Sequence, residues 1–146
     1  LLRDAVHVRM PVRDRDEIRE ILEADTVVVI GCSTTPGKAA HDVPKYLLDH
    51  GYDVIPVNPY ADKVFGREAY DSLLDVPDGV EVEIVDVFRP SDELDGIVDD
   101  VLEHGNVDVV WTQTGIADRD ATDRAEEAGV RVVEDRCIKV EHRRLV

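Results

Sequence analysis

Two thiols, Cys32 and Cys137, and three cations set beside turns, Lys38, Lys63 and Arg89, have the types and spacing for chemistry or ligand capture. Arg136 and Lys139 flank Cys137 and can lower its pKa, and thiolate character governs exchange with another thiol. Against that stands a plain packing role, since free cysteine behaves as a small hydrophobe, and packing is the preferred reading. Cys32 lies in a glycine turn, where a small side chain fits. The five histidines, His7, His41, His50, His104 and His142, have no metal-ligand spacing, and two cysteines fall short of a zinc site. His50 and His104 each precede a helix-stopping glycine, where a cation complements the helix dipole. No Ser-His-Asp order and no carboxylate pair stands out. The sequence therefore predicts binding, with no catalytic residue and no metal ligand.

The element that must position these groups runs from Thr26 to Lys38, TVVVIGCSTTPGK. Val27 to Ile30 is a β-branched run bounded by Gly31-Cys32-Ser33, which predicts a strand buried on both faces and a tight turn. A helix follows Pro36-Gly37, and its free N–H groups beside the turn would favour a phosphate. Before this run, Leu1 to Arg13 is expected to be an arm, and Asp16 to cap a short helix over Glu17–Ala24.

After it, Asp42 is expected to cap the next helix, with Pro44 in its first turn and Gly51 as its stop. Strand two is Asp53–Val57, where Pro56 suits a sheet edge. A small irregular region follows, with a turn at Gly66-Arg67 and one helical turn after Ser72. Strand three is Val82–Phe88, then a helix capped by Ser91 and stopped by Gly105. Strand four is Val107–Trp111, a helix opens at Asp118, and strand five is Val130–Val133 before an amphipathic tail. Strand and helix alternate with short connections. The expected fold is α/β, a single Rossmann-like domain with a parallel five-stranded sheet and helices on both faces. Residues 1–24 form the arm and short helix, and residues 25–146 the domain.

The net charge of −16, from 33 acidic and 17 basic residues, admits two readings. One is an acidic interaction surface. The other, favoured by the even spread of Asp and Glu, is adaptation to a salt-rich cytoplasm. Neither leaves a basic stripe for nucleic acid. No apolar run is long enough to span a membrane, no signal peptide is expected, and two cysteines suit a reducing compartment. A homodimer is compatible with the sequence but not required by it.

Ligands of such sheets bind at the carboxyl ends of the strands. A P-loop is a poor match, because Gly31 to Gly37 encloses one residue too many and Lys38 precedes Ala39. An NAD site would show G-x-G-x-x-G and an acid after strand two, where this chain has Cys32-Ser33 and Asn58. Coenzyme A carries a ribose phosphate that an acid there would repel, and Lys38, Lys63 and Arg89 supply cations. Phe88 can flank an adenine or simply be core.

VVVIGCSTTPGK, KYLLDHGYDVIPVNP, VFRPSD, VVWTQTGI and EDRCIKVEH together resemble the CoA-binding-domain proteins, from about Asp25 to Leu145. These are small stand-alone relatives of the CoA-binding N-terminal domain of the succinyl-CoA synthetase α subunit. The resemblance implies a site for coenzyme A or acyl-CoA. Gly31, Cys32 and Ser33 would lie beneath the diphosphate, and Val57, Asn58 and Pro59 beside the adenosine. Phe88 and Arg89 would stand at the third strand end, and Thr112, Gln113 and Gly115 along the fourth, with Lys38 at a commonly basic position. Tyr60, Ala40 and Asp42 depart from the basic, Ser and Arg residues that relatives often carry. Ligase activity needs a phosphohistidine domain for which the chain has no room. An NAD(P)-dependent enzyme on a modified Rossmann site and an acidic regulatory domain with a vestigial pocket remain the alternatives.

Overall fold

The run Val27 to Ile30 becomes an inner strand of the sheet, β1 (Thr26–Ile30), buried along its apolar length. A computed structural model describes residues 11–146 of the chain. Parallel strands flank β1 on both sides, β2 (Asp53–Val57) and β5 (Val82–Val87), so that Val28 lies opposite Ile55 and Val85. The sheet continues through β6 (Val107–Thr112) to β7 (Arg131–Val133), in the order β2-β1-β5-β6-β7. This is the expected α/β architecture with five parallel strands.

Period-2 alternation splits β1 between two cores. Val27 and Val29 pack with Ile18 and Ile21 of α1 (Arg15–Ile21), Val43 and Leu47 of α2 (Ala39–Asp49), and Ile138 and Leu145 of α5 (Ile138–Leu145). Val28 and Ile30 face Leu94, Val98 and Val101 of α3 (Leu94–His104) and Ala121 and Ala125 of α4 (Arg119–Glu127). Each of these Val, Leu and Ile side chains is worth about 1.5–3 kcal/mol relative to exposure. No helix among the described residues is long and apolar enough to cross a membrane.

Several helix starts differ from the sequence reading. Asp14, not Asp16, caps α1, because its backbone is extended and its Oδ2 accepts the Glu17 amide at 3.0 Å. α2 begins at Ala39 without a side-chain cap. Asp42 instead reaches back to accept the Gly37 amide at 3.1 Å. Pro44 lies inside α2 rather than at its start, and its missing N–H frees the Ala40 carbonyl. That carbonyl accepts the Ser33 amide at 2.8 Å, which ties the turn after β1 to the helix. Ser91 does not cap α3: a 3₁₀ turn, Ser91–Glu93, intervenes, and Ser91 Oγ accepts from the Ala117 amide. Asp118 caps α4 as expected, accepting from Asp120 and Ala121.

Between β2 and β5 the irregular region contains a hairpin, β3 (Lys63–Val64) and β4 (Arg67–Glu68), then the 3₁₀ turn Leu73–Asp75. β2 is an edge strand, as Pro56 suggested, and its outward carbonyl at Pro56 accepts the Tyr70 amide at 3.0 Å. At the opposite edge the Val12 amide donates to Val132 at 2.7 Å. Residues 1–10 of the expected arm lie outside the described residues.

Candidate functional site

The chain leaves β1 toward β2 on one side and returns to β5 on the other, so strand order reverses between β1 and β5. Crevices form at such reversals because the flanking loops diverge. A cleft of about 450 Å³ opens there, floored by Ile30, Gly31 and Val57 and walled by Phe88, Arg89 and the turn Cys32-Ser33. That volume lies within the roughly 300–1,000 Å³ of small-molecule sites. The 3₁₀ turn, through Ser72 and Leu73, and Ile97 of α3 close the far wall.

Gly31 has φ +85°, and a Cβ built on it would stand 2.8 Å from Arg89 Cδ. The absence of a side chain there is what lets the Arg89 stem cross the turn. The amides of Gly31 and Cys32 are held by the Val57 carbonyl, and Ser33 Oγ accepts the Thr35 amide. The first-turn amides of α2, those of Ala39 and Ala40, have no acceptor among the described residues. Asn58 fastens the end of β2 to this turn, donating from Nδ2 to the Cys32 carbonyl at 2.9 Å and accepting the Tyr60 amide.

The charges on the walls are mixed. Lys38 and Arg89 face Asp71, Glu93 and Asp100. Arg89 is engaged by Glu93, with Nε to Oε1 at 3.1 Å and Nη2 to Oε2 at 2.6 Å. That hydrogen bonding holds the Glu93 carboxyl below its ordinary range and raises the guanidinium further. Burial and the neighbouring Glu103 and Asp99 push Asp100 up.

A family model described as a CoA binding domain matches residues 25–143 of the chain. The chain belongs to the CoA-binding domain family. This CoA-binding domain is 40% identical over 127 residues to the uncharacterized protein YneT of Bacillus subtilis (strain 168), spanning 86% of this chain and 92% of that one. A hypothetical protein from Pyrococcus horikoshii OT3, of solved structure, is 38% identical with a TM-score of 0.86, over 96% of this chain and 99% of that chain. The acetate–CoA ligase (ADP-forming) of Methanocaldococcus jannaschii is 35% identical over 69 residues, 47% of this chain. That match covers 10% of the ligase's own length.

The CoA-binding domain gathers nine of the sequence-predicted site residues at the cleft: Gly31, Cys32, Ser33, Lys38, Val57, Asn58, Pro59, Phe88 and Arg89. Cys32 contributes its backbone only. Its side chain is in the core, where burial, and to a lesser extent Asp86, push the thiol up to about 12.

Thr112, Gln113 and Gly115 do not line the cleft. Thr112 Oγ1 donates to the Ile116 carbonyl at 2.6 Å and accepts the Asp135 amide. Gln113 Nε2 donates to Asp86 in the interior, and the Gly115 amide donates to Asp135. Thr112 and Gly115 thus hold the loop after β6 to Asp135 after β7, and Gln113 ties it to β5. Lys63 opens β3 and also lies off the cleft. Arg136 and Lys139 are engaged away from Cys137: Arg136 pairs with Glu141 at 2.7 Å and Lys139 lies over the Tyr46 ring.

Sequence reasoning missed Asp71, Ser72, Glu93, Ile97 and Asp100 as lining residues. Only Glu93 had a readable signal, four positions after Arg89 with the opposite charge.

The arrangement fits a diphosphate nucleotide: a side-chain-free cradle at Gly31, unpaired amides at the start of α2, and two cations beside them.

Proposed function

We propose that the chain binds coenzyme A, or an acyl-CoA thioester, at this cleft as a non-catalytic module. The observation that carries the reading is the cleft's place between the carboxyl ends of β1 and β5, with Asn58 rather than an acid at the end of β2. Gly31, Cys32 and Ser33 lie beneath the diphosphate, Lys38 and Arg89 neutralise phosphate charge, and Val57, Asn58 and Pro59 flank the adenosine. Phe88 offers an apolar wall to the adenine. Bound coenzyme A supplies a thiol that carries the acyl group.

Support for a role without catalysis comes from the thiols. Cys32 is buried and its raised pKa keeps it protonated at neutral pH, so it is no nucleophile. Cys137 opens α5 and does not line the cleft. Residues 25–146 are the binding domain in this reading, with α1 preceding it. The dispersed acids adapt the chain to a salt-rich cytoplasm.

Calorimetry with CoA, NAD and NADP in molar KCl tests the proposal. CoA binds, and Arg89→Ala or Gly31→Val abolishes the signal. Tighter binding of a nicotinamide dinucleotide, or failure of all three to raise the melting temperature, overturns it.

A further inference from the structure

The cation at the strand-order reversal already has a partner. Arg89 and Glu93 form a two-pronged ion pair across Pro90 and the 3₁₀ turn, and both side chains line the cleft. Glu93 occupies the position just before α3, yet its carboxylate does not cap that helix. It is turned onto Arg89 instead. Resting on the coenzyme A reading, we propose that Glu93 determines the cleft's specificity: it is a tethered carboxylate that a ligand's phosphate must displace from Arg89, so the cleft admits diphosphates and rejects simple carboxylates.

A tethered group acts at an effective concentration in the millimolar range or above. A free carboxylate that replaced Glu93 would gain only the ion pair it broke, and would bear the loss of its own translational freedom. A diphosphate does more. It engages Arg89 while also reaching the unpaired amides of Ala39 and Ala40 and the ammonium of Lys38. Several contacts made at once outweigh one tethered contact. Both members of the pair are about half exposed, at 48% and 45%, so release of Glu93 to water meets little resistance. The remaining acids of the walls, Asp71 and Asp100, add repulsion that selects against weakly held anions.

The test compares wild type, Glu93→Gln, Arg89→Gln and the double variant by calorimetry in molar KCl. The probes are CoA, inorganic pyrophosphate and acetate. Matched melting temperatures confirm that the exposed substitutions leave the fold intact. Glu93→Gln is expected to tighten pyrophosphate and CoA several-fold and to make acetate binding measurable. The same substitution in the Arg89→Gln background is expected to gain nothing. Unchanged or weaker pyrophosphate binding in Glu93→Gln, no pyrophosphate binding by either protein, or an equal gain without Arg89 overturns the inference. Tighter pyrophosphate with no CoA binding removes the coenzyme A reading and leaves the exchange standing. CoA binding with no difference between wild type and Glu93→Gln removes the exchange alone.

Discussion

The aliphatic stem of Arg89 lies across Gly31, close enough that a Cβ on the glycine would sit 2.8 Å from Arg89 Cδ. The end of β5 thus rests directly on the turn that follows β1. Gly31→Ala adds a left-handed strain to this clash and is expected to cost about 1–2 kcal/mol. At this chain size that lowers the melting temperature by roughly 2–8 °C. Arg89→Ala in the same molecule should recover the part due to the clash but not the part due to φ. A double-mutant cycle on melting temperature reads the two apart.

Asp86 is fully buried near the carboxyl end of β5, with Oδ1 accepting from Gln113 and Oδ2 without a partner among the described residues. Burial pushes its carboxyl up to about 8, against the smaller opposing effect of the Gln113 donor. Below about pH 4 the folded and unfolded chains both carry the proton. Between there and pH 8 only the unfolded chain releases it, so this group's contribution to stability is lost as pH rises through the folded value. Asp86→Asn should flatten that slope and be about 1–3 kcal/mol more stable than wild type at pH 8. Urea unfolding at pH 5 and 8 checks it, and an unchanged slope refutes it.

His142 shows the opposite sign. It is buried on the face of α5 toward α2, where its Nδ1 is hydrogen-bonded with the Tyr46 hydroxyl at 2.7 Å. His50 and Tyr52 face it edge-on, and Lys139 lies over the Tyr46 ring. Desolvation first, then the nearby His50, lower its pKa below the ordinary histidine value. Its stabilising share is present above about pH 6.5 and is lost as pH falls through the lowered folded value. His142→Gln should flatten the acid side of the stability profile, and Tyr46→Phe should cost about 1 kcal/mol at pH 7.5. Thermal melts from pH 5 to 8 measure both.

The Ser33 amide depends on a proline. Pro44→Ala supplies an N–H that competes for the Ala40 carbonyl now taken by Ser33 at 2.8 Å. The Ser33 amide should exchange with deuterium at least several-fold faster, while amides in β1 stay protected. Equal exchange in the two proteins would show that the turn holds without this bond.

Most of the framework was legible because β-branched runs and helix stops are local signals. Val27 to Ile30 names a buried strand, and Gly105, at φ +78°, names a helix end. Pro56 pointed to an edge because a missing donor is a local fact. The misplaced caps have a common cause: Asp14, Asp16 and Asp42 are chemically alike, and which one reaches an amide is set by backbone angles that the sequence does not display. The glycine turn, the Asn-Pro end and Phe88-Arg89 were found because strand ends on one side of a parallel sheet must converge. Thr112 and Gln113 converge there too, but their polar groups turn inward, toward Ile116 and Asp86. The acids of the far wall come from an insertion after β2 and from α3, and only tertiary packing brings Asp71 and Asp100 to the same cleft.

Both rims of the sheet end against the protein's own backbone, Pro56 under Tyr70 and Val132 under Val12. At each of these points an incoming strand would have to displace a backbone bond already made, and Pro56 has no amide donor to offer it. Fibrillar stacking and strand exchange between copies are disfavoured from either side. Contact through the helix surfaces, by contrast, would leave both of these backbone bonds unbroken.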